Sequence, residues 1–262
     1  MSNPHLPAEM LDHVADQLRD AEDALRNCCL VSKSWIPRTR RHLFSDVRFP
    51  TLESLISWMQ TFPDPSTSPA HYVKTLSVTC PQLLTGPDAE VGNWIRWFSC
   101  VVHLEVGRNG LSIGQSRSLV PYRGFSPAIK SLRLIFAILP PGILNLILSF
   151  PLLEDLAVIA FSEPLSDSDD DPHWLPAIAQ PSSPPRFTGS LEVHLKGGKN
   201  SFARRLLSLP GGIHFRKLAL TWLEEEDPSL MTALIEKCSH TLESLDIFHS
   251  LGTSILPRCL RR

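Results

Sequence analysis

The chain has no apolar run of any length. Its longest mostly apolar stretches, such as Ile143 to Leu148, fall far short of the roughly 18–20 residues a membrane-spanning helix needs, and the chain is expected to be soluble. An excess of one charge sign is missing too: 25 Lys and Arg stand against 27 Asp and Glu. No global positive field exists to draw the chain onto nucleic acid or anionic lipid, so neither a nucleic acid nor a membrane is expected as a partner. Met1-Ser2-Asn3-Pro4-His5 is not a basic segment leading into an apolar stretch, and no secretory signal is expected. The cysteines, Cys28, Cys29, Cys80, Cys100, Cys238 and Cys259, include no CxxC pair. A disulfide scaffold and a zinc knuckle are therefore not expected, and reduced thiols point to a cytoplasmic and/or nuclear location. Cys259-Leu260-Arg261-Arg262 lacks the aliphatic pair of a prenylation signal.

Signatures of catalysis are equally sparse. The sequence contains no Gly-x-Ser-x-Gly elbow, no His-Glu-x-x-His helix and no paired-Gly phosphate loop. Gly197-Gly198-Lys199 lacks the preceding Gly of a phosphate loop and is followed by Asn200 where Ser or Thr should stand, so it reads as a turn. Asp167, Asp169, Asp170 and Asp171 lack the central Gly and closing Glu of a calcium loop. Arg38, Arg40 and Arg41 read as a solvated helix end that complements the macrodipole. His103 and His194 flank strand leucines, where a surface histidine is the ordinary occupant. No catalytic residue, cofactor or metal is expected, and the chain is not read as an enzyme.

What is present is an ordinary globular composition, 43% hydrophobic and 20% charged, over 262 residues. That length suits one large domain or a small one joined to a larger one. Proline stands out: 23 residues are about 9% of the chain against a usual ~5%. Such frequent punctuation fits a recurring pattern of apolar, intervening, apolar. It appears in Leu76-Ser77-Val78, Leu104-Glu105-Val106, Leu132-Arg133-Leu134, Leu156-Ala157-Val158, Leu191-Glu192-Val193, Leu218-Ala219-Leu220 and Leu245-Asp246-Ile247. The first Leu recurs after 28, 28, 24, 35, 27 and 27 residues, and Val47-Arg48-Phe49 fits 29 residues upstream. Alternation with period two marks a short strand with one buried face. Between strands, Leu52, Leu55, Ile56 and Met59, then Leu144, Ile147 and Leu148, then Leu230, Leu234 and Ile235 have helical spacing. A strand plus a helix in about 27 residues is the size of a leucine-rich repeat. The fold expected is α/β, an irregular leucine-rich-repeat-like solenoid with a curved parallel sheet over residues 45–262. A doubly wound sheet would show the same periods. Residues 162–185, rich in Asp, Ser and Pro, read as a solvated insertion.

Residues 1–44 read differently. Leu11, Val14 and Leu18 share one face of a first helix that runs to about Arg19. Asp20 to Asp23 is polar, Leu25, Cys28, Cys29 and Val31 resume the apolar spacing, and Ser32 can cap a segment carrying Trp35 and Leu43. A helical piece of ~40 residues is too small to bury its own apolar surface, so it must pack on the next domain or on a partner. Leu6-Pro7-Ala8-Glu9-x-Leu11, Cys29-Leu30-Val31-Ser32-Lys33-Ser34-Trp35 and Arg41-His42-Leu43-Phe44 together resemble the F-box, in the form common in fungal F-box-like proteins. The hinge Asp20-Ala21-Glu22-Asp23 departs from the Asp-Pro-rich turn of many F-boxes. The resemblance implies a substrate-recognition adaptor of an SCF-type cullin–RING ubiquitin ligase. Its F-box would dock on the Skp-type linker through Leu6, Pro7, Leu11, Leu30, Val31 and Trp35, and its repeats would hold a protein substrate.

Alternation assigns the strand residues that point away from the core, and these are the expected substrate-binding concave face. The candidates are His103, Glu105, Arg133, Ile135, Asp155, Ile159, Glu192, His194, Lys217, Asp246 and Phe248, with Thr75, Ser77, Thr79, Ser131 and Thr221 beside them. Charges of both signs around a few apolar residues suit a protein-binding surface. Two other readings stay open: a leucine-rich-repeat scaffold that binds a protein without any ligase, its N-terminal helices serving as a cap, and an α/β enzyme using a Cys or His in a cleft.

Overall fold

A computed structural model describes residues 7–79, 95–107, 125, 127–139, 143–162, 185, 187–195, 201–209, 211–222 and 228–249. Leu6, Cys80, the Gly197-Gly198-Lys199 turn, Cys259 and positions 163–184 of the expected insertion lie outside the described residues.

Eight strands form one open, fully parallel sheet in chain order. They are β1 Asp46–Phe49, β2 Thr75–Val78, β3 His103–Gly107, β4 Ser131–Ile138, β5 Asp155–Ser162, β6 Ser190–Leu195, β7 Lys217–Trp222 and β8 Ser244–His249. The helices described are α1 Ala8–Gln17, α2 Glu22–Val31, α3 Ile36–Leu43, α4 Leu52–Thr61, α5 Ile143–Leu148, α6 Ser201–Leu207 and α7 Pro228–Cys238. A strand order equal to chain order departs from the doubly wound alternative, in which the order reverses part-way across the sheet.

The recurring leucine sets the register. Val47, Leu76, Leu104, Leu132, Leu156, Leu191, Leu218 and Leu245 are paired strand to strand in one unbroken row. A slip of one residue would turn a whole strand's apolar set into water, which is why the register is so uniform. Just before each strand, one carbonyl accepts from the following unit. Lys74 and Thr75 both donate to Ser45 O, Val102 and His103 to Lys74 O, Lys130 and Ser131 to Val102 O, and Glu154 and Asp155 to Lys130 O. Gly189 then donates to Glu154 O, Arg216 and Lys217 to Gly189 O, and Glu243 and Ser244 to Arg216 O. The backbone therefore repeats at the same intervals as the leucines, even across the long gap between β5 and β6.

From β1 to β7 the leucine row, and beside it Val78, Val106, Leu134, Val158, Val193 and Leu220, are buried. They share one core cluster with Leu55 of α4, Ile143, Leu146 and Ile147 of α5, Phe202 and Leu206 of α6, and Leu230 and Leu234 of α7. Each fully buried Leu contributes about 1.5–3 kcal/mol, so the core belongs to the sheet face that meets the helices. Near β1 the core is aromatic: Trp58 lies edge-on to Phe44 and Phe49, with ring centroids 5.8 and 5.7 Å away. At the other end Leu245 and Ile247 of β8, at the buried positions of the repeat, are 39% and 52% exposed.

Glycine has a specific task between β5 and β6. A Cβ at Gly189 would collide with Asp155 Oδ1 and lie 2.9 Å from the Glu154 carbonyl oxygen. The close approach lets Asp155 Oδ1 accept from both the N–H and the hydroxyl of Ser190, each at 2.7 Å.

The N-terminal helices follow the expected spacing with two differences. The inward face of α1 is Leu11 and Ala15, while Val14 is exposed. Ala15 continues the i, i+4 face from Leu11, and alanine is a weak signal in an apolar pattern. The polar hinge is also shorter than Asp20 to Asp23, since Glu22 and Asp23 already form the first turn of α2, where carboxylates are favoured by the helix dipole. Ser32 accepts from the Ser34 N–H and starts the short 3-10 turn Lys33–Trp35.

Candidate functional site

Two surfaces carry the expected residues. The first is the N-terminal helical unit. Arg38 of α3 pairs with Asp12 of α1 at 2.7 Å, and His42 with Asp16 at 2.9 Å, so α1 and α3 are clipped along their length. Thr39 is wholly buried, its hydroxyl donating to the Trp35 carbonyl at 2.9 Å with Cys29 Sγ 2.8 Å away. Leu25 and Leu11 complete that interior. The six residues expected to meet a linker are therefore distributed unevenly. Leu11 is inside, Trp35 is half-buried, and Pro7 is exposed at the start of α1. Leu30 and Val31, at the end of α2, are 85% and 75% exposed. Leu6 lies outside the described residues.

The second surface is the sheet face opposite the core, where register sorts the side chains into rows. One row runs Arg48, Ser77, Glu105, Arg133, Ala157, Glu192, Ala219, Asp246. Arg133 reaches over Ala157 to donate to Glu192 Oε2 at 3.1 Å, and its other flank lies 3.9 Å from Glu105 Oε2. A longer side chain at 157 would block that reach. Ser77 donates to Glu105 Oε1 at 2.9 Å. The opposite Glu192 oxygen is 2.9 Å from His194 Nε2, and His194 Nδ1 shares a hydrogen bond with the Thr221 hydroxyl. The His194 ring stands 6.2 Å from that of Phe248. His194 is thus a partly buried link in a network and not the ordinary surface histidine expected of it.

This network holds Glu192 in its charged form. The hydrogen bond from His194 and the positive charge of Arg133 lower its pKa against the opposing effect of burial. At the far end Asp46 raises the pKa of Arg48, with Glu105 adding to the effect. The adjoining rows place Ser190 beside Lys217 and Ile135 beside Ile159, with Asp155 bonded to Ser190. Ile159 is buried among its neighbours, Ile135 is half-buried, and Phe248 is 50% exposed. His103 and Lys217 are exposed at the start of their strands. Among the described residues of the face five carboxylates, Asp46, Glu105, Asp155, Glu192 and Asp246, outnumber three full cations, Arg48, Arg133 and Lys217.

The alternation pattern already contained Ala157, Ala219 and Ser190, but small residues carry no chemical signal on their own. Their importance is the space they leave. Thr221, His194 and Glu192 align as hydroxyl, imidazole and carboxylate, the order of a nucleophile, base and orienting acid. Thr221 itself sits in the strand ladder, paired with Phe248 of β8. Among the described residues no group of three or more His, Cys, Asp or Glu could hold a metal ion, and no helix is long and apolar enough to cross a membrane. The described cysteines, Cys28, Cys29, Cys100 and Cys238, are free. No protein-family model and no curated protein matches the chain.

Proposed function

We propose that the protein is a noncatalytic substrate receptor of an SCF-type cullin–RING ubiquitin ligase acting in the cytoplasm and/or nucleus. In this reading the helices over residues 7–43 are an F-box-like unit that docks on a Skp-type linker. The parallel sheet is a curved leucine-rich-repeat-like solenoid whose outer face holds a protein substrate. The observation that carries it is the exposure of Leu30 and Val31 at 85% and 75%, while Leu25 of the same helix is buried and Ile36 and Leu43 of α3 are half-buried. They stand inside the segment Cys29 to Trp35 on which the resemblance rests. Paired exposed aliphatics beside a half-buried Trp have the make-up of an interface hot spot.

A second reading has its own support. Phe44 packs on Trp58 and Phe62, and α3 lies against the 3-10 turn Pro69–Tyr72, as a cap on the first strands would. The protein would then be a repeat scaffold with no ligase. Purification from cells with mass spectrometry separates the two, because only the receptor brings down a Skp-type linker and a cullin. Leu30→Ser with Val31→Ser should abolish linker capture with an unchanged melting temperature, as should Leu6→Ala with Pro7→Ala. Folded variants that still capture the linker as wild type would move the docking site elsewhere. If the unmutated protein fails to bind the linker at micromolar concentration, the scaffold reading replaces the ligase.

A further inference from the structure

Ala219 puts only a methyl group on the outer face of the sheet. In its row it stands between Glu192 of β6 and Asp246 of β8. Neighbouring strands lie about 4.8 Å apart, so these two acidic positions are roughly 9–10 Å from each other across a methyl group. Phe248 of β8, 50% exposed, forms the wall on one side. Asp246 is exposed and makes no ion pair among the described residues. Glu192 is already bonded by Arg133 and His194, one to each oxygen. An ionised carboxylate has about four lone-pair sites, so each of its oxygens can accept once more.

Two carboxylates over a small floor, with an aromatic ring at the side, match one kind of group: an ammonium or guanidinium on an apolar stem. The charge is met from both sides, and the ring face adds a cation–π contact. We propose that the outer face binds a protein partner through a Lys or Arg inserted over Ala219 between Glu192 and Asp246, with an apolar residue beside it against Phe248. The inference rests on the reading of this face as the partner-binding surface and narrows the partner to a cationic, partly apolar segment. Excess carboxylate across the face favours such a segment over an acidic one, because like charges brought together there carry a penalty. Lys217, on the same strand one row away, has no ion pair among the described residues and is an intrinsic cation positioned to compete.

The test uses the full chain and fluorescein-labelled octapeptides, read by anisotropy at low and high salt. One peptide alternates Lys or Arg with Ile or Leu, a second has Glu at the charged positions, and a third keeps the charges but has Gly at the apolar ones. The first should bind at micromolar concentration, more weakly as salt rises, and the other two at least about tenfold more weakly. Asp246→Asn, an exposed change outside the Arg133 network, should weaken the first peptide about three- to tenfold, Phe248→Ala should do likewise, and Lys217→Ala should strengthen it. Equal binding of the acidic peptide, binding by none of the three, or wild-type affinity in Asp246→Asn would each overturn the proposal. Linker capture by the unmutated chain is measured in parallel. No linker capture with peptide binding intact removes the ligase and leaves this site, while the reverse removes the site alone.

Discussion

At the residue scale the outer face depends on how a few charges share partners. Glu192 has its pKa held below the usual glutamate value of about 4.3, mainly by the hydrogen bond from His194 and also by the charge of Arg133. A carboxylate depressed in the fold adds stability above its unfolded-state value, and that contribution is lost as pH falls through its folded value. The melting temperature should therefore drop as pH goes below about 4.3, and Glu192→Gln should shrink the drop between pH 7 and pH 3. An unchanged acid limb in the variant would mean that the network does not govern Glu192. Cys238 gives a second expectation: burial raises its thiol pKa, with the backbone hydrogen bond involving Phe215 opposing. Iodoacetamide in the native state should label Cys28, Cys29 and Cys100 while Cys238 reacts only after unfolding. The network itself was half legible beforehand. Alternation named Glu105, Arg133, Glu192 and His194, but Arg133 bonding two strands away to Glu192 depends on Ala157 being small.

At the element scale one repeat position carries different energies along the sheet. Leu132 is fully covered between β3 and β5, so Leu132→Ala should cost about 2–5 kcal/mol through the cavity it leaves. Leu245 of β8 occupies the equivalent place beside Leu218 but is 39% exposed, and Leu245→Ala should cost about 1 kcal/mol or less. Urea unfolding of both variants checks the contrast, and equal losses would mean that β8 is covered in solution. Gly189→Ala is the third case. It forces the chain off Asp155 and should cost about 1–3 kcal/mol, seen as a fall in melting temperature. The helices show the same dependence on neighbours. Thr51 and Ser54 form a reciprocal capping box that starts α4, a local feature. The inward choice of Ala15 over Val14 in α1 was decided by where α3 lies, clipped by Arg38 and His42.

At the scale of the whole molecule, strands pair in the sheet only with their sequence neighbours, and β4 and β5 are the longest, with eight residues each. A sheet built this way has stability that depends on position, greatest where units are flanked on both sides. Amide hydrogen exchange should be slowest in β4 and β5 and fastest in β8, whose underside is open. Uniform protection across all eight strands would instead indicate a single cooperative block.

The eight strands, their parallel order and their shared register all followed from one local pattern, an apolar residue, a spacer and a second apolar residue at intervals near 27. Burial of alternate side chains is a local demand and repeats with the chain, so it is written in the spacing itself. The same is true of the helix face of α7, while in α4 Leu52, Leu55 and Met59 turn inward as spaced but Ile56 is 43% exposed and Trp58 packs on the core instead. Other features required the strands to be side by side. The placing of Ala219 between Glu192 and Asp246, the reach of Arg133 across Ala157 and the link from Glu192 through His194 to Thr221 join residues that are two to nearly sixty positions apart. Which face of α1 turns inward, how far Leu30 and Val31 protrude and how open β8 remains are likewise settled by packing. Exposure is a property of neighbours in space, and only the folded arrangement supplies them.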